Sequence, residues 1–188
     1  MKKYVSIFII TFLLLSMTAC RNKAVSTTSD VPVATVGVTD DVAKENSSEQ
    51  DKKLDFSTTD INGKSISDED IKDEKLIMVN FWEPWCGPCV GEMPELEKLY
   101  QNYKEKGFII LGVFHSSDSL DDAKAIVDDN HITYPIVMGN EDFAKFTTEY
   151  VPTTVFFDSE GNLLNSEPLI GAKSYDEWEQ EILKYIKD

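Results

Sequence analysis

The chain has 188 residues and an acidic composition, with 34 Asp and Glu against 18 Lys and Arg and a formal net charge of −16. Nucleic acid and anionic lipid head groups repel a chain of this charge, so neither is an expected partner. Only three cysteines occur, Cys20, Cys86 and Cys89, which are too few for a disulfide-stapled scaffold, so the fold must rest on a hydrophobic core.

Residues 1–19 have the pattern of a secretory signal peptide. Lys2 and Lys3 form a basic start, and the nearly continuous apolar stretch over 4–17 is shorter than the roughly 20 residues that a spanning helix needs. The stretch is followed by Thr18-Ala19-Cys20, an ending that resembles bacterial lipoprotein signals. That resemblance implies cleavage before Cys20 and lipidation of its side chain. An uncleaved membrane anchor and a soluble secreted form are the alternatives.

Residues 20–53 are predicted to be the lipidated cysteine and a flexible linker. The stretch is rich in Ser, Thr, Asp, Glu, Asn and Lys and contains no aromatic residue. Such a composition cannot bury enough apolar surface to fold. The linker would hold the folded part, predicted to span 54–188, away from a membrane surface.

The folded part is predicted to open with a β-hairpin over 56–66, with Asn62-Gly63 as its turn. Ser67 is placed to cap a short helical turn after the hairpin. The unbroken apolar run over 76–82 then has the composition of a central strand that is buried on both faces.

Two cysteines three positions apart, Cys86 and Cys89, follow this strand directly. Apolar residues at Met93, Leu96 and Leu99 predict an amphipathic helix that starts near the cysteines. A helix N-terminus offers unpaired N–H groups and a partial positive charge, which stabilise a thiolate over a thiol. We therefore expect Cys86 to be the exposed nucleophile. Cys89 is expected to attack the mixed disulfide that Cys86 forms with a partner.

The rest of the chain continues the alternation of strands and helices. The predicted elements are a buried strand over 108–114, a helix over 119–130 opened by a Ser119 capping box, a short strand over 134–138, a helix over 141–149 capped by Asn140, a hairpin over 153–165 and a final helix from Ser174. A strand, a helix and a second apolar strand imply a parallel crossover, so the predicted fold class is α/β.

The sequence resembles the thioredoxin-fold family through two motifs. They are Trp85-Cys86-Gly87-Pro88-Cys89 after a buried strand and Val151-Pro152-Thr153-Thr154 before a hairpin. Over 54–188 the chain resembles the membrane-anchored TlpA/ResA-like branch, through the N-terminal hairpin, the helical segment before the second motif, and Glu92-Met93-Pro94. The resemblance implies a thioredoxin-like fold with a mixed central sheet and flanking helices, an N-terminal hairpin extension and a helical insertion.

The resemblance also implies roles for particular residues. Cys86 and Cys89 form the catalytic couple, and Pro152 is expected in the cis form beside them. The residues implied to bind the substrate are Trp85, Gly87, Pro88 and Val151. The backbone of Val151 would pair with a substrate strand. The resemblance implies no metal and no other cofactor.

A carboxylate that moves the proton of Cys89 is implied at Glu92. Ordinary thioredoxins carry a buried Asp six positions before the first cysteine, but this chain has Asn80 there, which takes no proton. The TlpA/ResA-like branch instead has a carboxylate three positions after the second cysteine, which is Glu92. Partial burial would raise the pKa of Glu92 and let it act as a proton shuttle. The alternative is a first-turn acid that only favours the helix dipole.

The expected function is an extracytoplasmic thiol–disulfide oxidoreductase that works as a reductase at the outer face of the bacterial cytoplasmic membrane. Gly87-Pro88 between the cysteines is the pair found in reducing thioredoxins. Because the compartment is oxidising, a membrane thiol transporter of the CcdA/DsbD type is expected to supply electrons. Candidate acceptors are exported disulfide-containing proteins such as apocytochrome c or an oxidised methionine sulfoxide reductase.

Three alternatives stay open. A disulfide-forming oxidase or isomerase would differ in the reduction potential of the cysteine couple. A tethered binding module would use the groove beside Trp85 without redox chemistry. A zinc site would need about four ligands, and the two cysteines with the distant His115 and His131 are a poor set for it.

Overall fold

The computed structural model describes residues 53–186. The strands are β1 (Ser57–Thr59), β2 (Ser65–Ser67), β3 (Leu76–Phe81), β4 (Phe108–Phe114), β5 (Ile136–Met138), β6 (Thr153–Asp158) and β7 (Leu169–Ile170). The α-helices are α1 (Gly87–Tyr103), α2 (Leu120–Asp129) and α3 (Tyr175–Ile182), and no helix in this range is long and apolar enough to cross a bilayer. The predicted signal peptide, Cys20 and all but the last residue of the predicted linker lie outside the described residues.

Five strands form one mixed sheet in the order β5-β4-β3-β6-β7. β3 pairs in parallel with β4 and antiparallel with β6, and β4 is parallel to β5. Every residue of β3 and β4 is buried, as their unbroken apolar runs predict for strands that are covered on both faces. The predicted α/β architecture is therefore confirmed.

Alternate residues of the central strands belong to two separate hydrophobic clusters, because successive side chains of a strand point to opposite faces. Met78 of β3 lies in the cluster that includes the apolar face of α1 and Trp178 of α3. Val79 lies in the other cluster, with Phe56 and Phe143. Helices α1 and α3 thus cover one face of the sheet, and the segments before β3 and after β5 cover the other.

The N-terminal hairpin forms as predicted but with a different turn. β1 and β2 pair antiparallel. The amide of Gly63 donates to the carbonyl oxygen of Asp60 at 2.9 Å, and Gly63 has a φ of +84°. Asn62-Gly63 is therefore the end of a longer loop, in which glycine takes the left-handed position that follows the turn. Ser67 caps the helical turn over Asp68–Asp70 as predicted.

The helix predicted over 141–149 is wrong, because this segment forms consecutive turns. The side chain of Asn140 does accept an amide two residues on, at 3.1 Å. After Asn140, the backbone hydrogen bonds join residues three positions apart, for example from the amide of Phe146 to the carbonyl oxygen of Phe143 at 3.0 Å. The hydroxyl of Thr148 then donates to a backbone carbonyl two residues on. Such side-chain bonds to nearby backbone compete with a helix and end it early.

Two further elements differ from their predictions, and one agrees. α2 begins without the predicted capping box, because a 3₁₀ turn that ends at Ser119 leads directly into it. The strand predicted over 163–165 is reduced to a single bridge at Leu163. The side chain of Asn165 then accepts a β6 amide at 2.7 Å, and the chain pairs with β6 again only at β7. The final helix begins at Ser174 as predicted.

Candidate active site

The candidate site lies where β3 ends and α1 begins. Cys86 is the N-cap residue of α1, and Cys89 lies in its first turn. A disulfide joins the two residues, with their Cα atoms 5.3 Å apart. The amide of Cys89 donates to the Sγ of Cys86 at an N–S distance of 3.2 Å. Once the bond is reduced, this donor and the positive end of α1 favour a thiolate at Cys86.

Both cysteines are buried, so the expectation that Cys86 is exposed is wrong. Cys86 is 5% exposed and Cys89 is 1% exposed. The physical reason is the carbonyl oxygen of Val151, which lies 3.6 Å from the Sγ of Cys86 and covers it. Trp85, by contrast, is 70% exposed, and Gly87-Pro88 is exposed as well. The exposed residues thus lie on either side of the buried Cys86 in the chain.

The loop over Cys86 comes from a distant part of the chain. The Val151–Pro152 peptide bond is cis, as predicted. Thr153, which follows it, pairs with Phe81 at the end of β3, so the loop lies at the sheet edge from which α1 starts. The structure therefore brings together the two motifs that the sequence singles out.

One turn along α1 from Cys89, the side chain of Glu92 is buried to 3% exposure, more than the partial burial that was expected. One carboxylate oxygen accepts a hydrogen bond from the Nδ2 of Asn80 at 3.1 Å. The other accepts the backbone amide of Lys173 at 3.1 Å and the indole N–H of Trp178 at 3.2 Å. Burial raises the pKa of Glu92, and the three donors oppose that rise because they favour the charged form.

Sequence reasoning identifies Glu92 but misses the groups that hold it. The pattern of α3 places Trp178 on an apolar face, and no local signal indicates a bond to a residue 86 positions away. Lys173 contributes its backbone amide, and the positive charge of its side chain also favours the charged form of Glu92. The Nδ2 of Asn80 also donates to the hydroxyl of Thr154 at 3.1 Å, which links this network to the segment after the cis proline. The alternative of a first-turn acid is wrong, since α1 has no acidic residue in its first turn.

The two histidines lie in other surroundings. The ring of His115 stacks on Phe81 with centroids 6.3 Å apart, and its backbone amide donates to the buried carboxylate of Glu83 at 3.0 Å. His131 follows α2 with a φ of +54°. Within residues 53–186, no three His, Cys, Asp or Glu side chains are grouped so that they could hold a metal ion.

The chain is similar to known proteins in sequence and in fold. The model of the AhpC/TSA family matches residues 50–166. The thiol-disulfide oxidoreductase ResA of Bacillus thuringiensis (strain Al Hakam) is 33% identical over 132 residues, which cover 69% of this chain and 73% of that protein. The thioredoxin-like protein YneN of Bacillus subtilis (strain 168) is 31% identical over 130 residues, covering 68% and 75%.

A solved structure also matches the fold. The thiol:disulfide interchange protein of the thioredoxin family from Chlorobium tepidum TLS superposes with a TM-score of 0.64. The superposition covers 72% of this chain and 96% of that chain, at 24% sequence identity. At 24% identity the similarity shows the fold alone, and it confirms the predicted thioredoxin-like fold.

Proposed function

Because the chain belongs to the AhpC/TSA family and is a thiol–disulfide oxidoreductase of the ResA type, we propose that it reduces disulfides of exported proteins at a membrane surface. The observation that carries this proposal is the Cys86–Cys89 disulfide at the start of α1, facing the cis Pro152 loop. A bridged pair at a helix N-terminus is able to exchange electrons with a thiol or disulfide that docks beside it.

The proposed reaction has two exchange steps. In the reduced protein, the thiolate of Cys86 attacks one sulfur of the substrate disulfide, and the other substrate sulfur leaves and takes a proton. The thiolate of Cys89 then attacks the Sγ of Cys86 and displaces the second substrate sulfur. Two electrons pass to the substrate, and the protein ends as the Cys86–Cys89 disulfide. The order is supported by exposure, since Cys86 is the less buried of the two.

Glu92 is the proposed acceptor for the proton of Cys89. The two side chains are both buried and lie three positions apart on α1, which places them on neighbouring turns of one face. A carboxyl group whose pKa burial has raised accepts a proton near neutral pH more readily than an exposed one. Asn80 occupies the position of the acid in ordinary thioredoxins but cannot take this part, because an amide side chain accepts no proton.

A protein substrate is supported by the apolar surface around the disulfide. Among the described residues, three of the four large apolar side chains that stand exposed lie near it, namely Trp85, Tyr150 (62% exposed) and Ile170 (55%). Trp85 adjoins Cys86, and Ile170 pairs with Thr153 next to the cis proline. An exposed apolar patch of this kind marks a surface where another protein docks.

The membrane location is supported by the sequence alone. The pattern of residues 1–19 and the Thr18-Ala19-Cys20 ending support export and a lipid anchor on Cys20. In an oxidising compartment a reductase must be recharged, which supports a membrane thiol transporter of the CcdA/DsbD type as donor. The proposed acceptors are disulfide-containing exported proteins such as apocytochrome c or an oxidised methionine sulfoxide reductase. Labelling with a fatty acid in the host that is abolished in Cys20→Ala would support the anchor.

Partner trapping tests the proposed reaction. In the full chain, Cys89→Ser leaves Cys86 free to form a mixed disulfide that cannot be resolved, so acceptors are expected to accumulate on it. Cys86→Ser is the matched control and is expected to trap none. Proteins identified on both variants, or on neither, would contradict the assigned order of attack.

The reduction potential of the couple tests the direction of electron flow. A value near that of thioredoxin, about −270 mV, supports a reductase, whereas a value near that of DsbA, about −120 mV, overturns that direction. The second result would favour the disulfide-forming oxidase. A double Cys86→Ser, Cys89→Ser variant with full biological activity would instead favour the tethered binding module.

A further inference from the structure

We propose that a groove between Trp85 and α2 selects substrates that carry a basic side chain close to their reactive cysteine. This inference rests on the proposed reductase function and names the class of substrate. The groove has a volume of about 300 Å³. Its near wall is formed by Pro84 and Trp85, and Trp85 immediately precedes Cys86 in the chain. A substrate cysteine bonded to Cys86 therefore brings its flanking residues next to this wall.

One face of α2 forms the far wall. The groove residues Asp122, Ala125, Ile126 and Asp129 are spaced i, i+3, i+4 and i+7, which places them on one face of the helix. At 1.5 Å per residue, the two aspartates lie roughly 10 Å apart along the helix axis. Ala125 and Ile126 lie between them. This wall therefore consists of two apolar side chains between two negatively charged ones.

The charges on this wall are free to pair with a partner. Within residues 53–186 the salt bridges join Lys72 to Glu69 and Lys184 to Glu181, and none involves a groove carboxylate. α2 as a whole has four aspartates and one lysine. An apolar segment with a Lys or Arg beside it complements this wall in shape and sign, and an acidic segment is repelled. A second copy of a chain with a net charge of −16 lacks that complementarity.

The test uses the reduced full chain and three synthetic peptides with one internal disulfide each. The first cysteine is followed by Leu in all three peptides, and they differ only in the next residue, which is Lys, Gln or Glu. The second-order rate of reduction is measured in single turnover. The wild type is expected to reduce the Lys peptide about 2- to 10-fold faster than the Gln peptide, the range that one or two partly exposed ion pairs supply. The Glu peptide is expected to be slower than the Gln peptide.

The decisive variant is Asp122→Asn with Asp129→Asn. It is expected to bring the Lys-to-Gln rate ratio close to one while the rate for the Gln peptide stays unchanged. Asp121→Asn with Asp128→Asn is the matched control, because it removes the same charge from adjacent positions of α2 that do not line the groove. This control is expected to keep the wild-type ratio.

The other outcomes overturn the proposal in distinguishable ways. An equal fall of the ratio in both double variants would assign the effect to long-range steering. A ratio unchanged by Asp122→Asn with Asp129→Asn would remove the groove and leave the reductase function standing. Failure of the wild type to reduce any peptide would overturn the reductase function itself. A wild-type dimer in sedimentation that the same double variant dissociates would assign the groove to a second copy of the chain.

Discussion

Replacing Asn80 by Asp would place two carboxyl groups across the hydrogen bond that now joins the Nδ2 of Asn80 to Glu92 at 3.1 Å. Two unit charges at that distance repel by about 5 kcal/mol at an effective dielectric constant of about 20. Keeping a proton at pH 7 on a carboxyl with the ordinary pKa of 4.5 takes about 3.4 kcal/mol. The repulsion is the larger quantity, so we expect the folded Asn80→Asp variant to share one proton between the two carboxyl groups at pH 7.

The assay is the free energy of unfolding in urea between pH 5 and 8.5. The unfolded variant has both carboxyl groups ionised, whereas the folded variant still holds a proton. Its stability therefore falls as pH rises, by about 1.4 kcal/mol per pH unit. In the wild type the raised pKa of Glu92 gives a fall of the same sign, which ends at that folded pKa. Parallel curves for variant and wild type up to pH 8.5 would refute the proton-sharing argument.

Two variants test the proposed proton-transfer role of Glu92, and one of them includes Asn80→Asp. Glu92→Gln removes the proton acceptor and is expected to slow the attack of Cys89 on a preformed mixed disulfide by up to about 100-fold, the lower end of general base catalysis. Asn80→Asp with Glu92→Gln moves the carboxyl group to the other side of this hydrogen bond and is expected to restore part of the rate. Rapid-quench measurements against pH follow both variants. An unchanged rate in Glu92→Gln would remove the proton-transfer role.

Four further substitutions test the packing and hydrogen bonding of the fold. Glu179→Gln is expected to lower the pKa of Tyr103, which burial and this carboxylate raise to about 12, and an ultraviolet titration that finds no change would contradict the contact. Gly112→Ala would place its Cβ 2.5 Å from a β5 side chain and is expected to lower the unfolding free energy by about 1–3 kcal/mol. A Cβ added at Gly91 in α1 would meet nothing within 4 Å, so Gly91→Ala is expected to raise the unfolding free energy by about 0.5–1 kcal/mol. Equal urea midpoints for Gly112→Ala and Gly91→Ala would contradict both expectations. Asn165→Ala leaves a buried β6 amide without its acceptor, an expected loss of about 1–3 kcal/mol in the same assay.

The parts of the fold that could be predicted have local signals. An unbroken apolar run specifies a strand covered on both faces, and two cysteines before an amphipathic pattern specify where a helix begins. The cis form of Pro152 has no local signal, and only the family resemblance predicts it. The helix predicted over 141–149 failed because its start signal, Asn140, acts over a single turn. Nothing in that local pattern reports where the later side chains will bond.

The details of the site could not be predicted because they depend on contacts between distant residues. The carbonyl oxygen that covers Cys86 belongs to a residue 65 positions away. Two of the donors to Glu92 lie 81 and 86 positions away, and one of them is a backbone amide. No local pattern in a single sequence indicates how deeply a cysteine is buried or how many donors surround a carboxylate. These contacts nonetheless decide which sulfur is reached and how firmly Glu92 holds a proton.

The difference in burial between the two cysteines also constrains how the proposed reductase is recharged. A donor thiolate that approaches the oxidised protein finds Cys86 at the surface end of the disulfide and Cys89 behind it. In the proposed reaction, attack therefore falls on Cys86, and Cys89 leaves as a thiolate next to Glu92, which would return the proton. Both half-reactions then use the same sulfur and the same docking surface beside Trp85. Donor and acceptor consequently exclude each other, and turnover follows ping-pong kinetics rather than passing through a ternary complex.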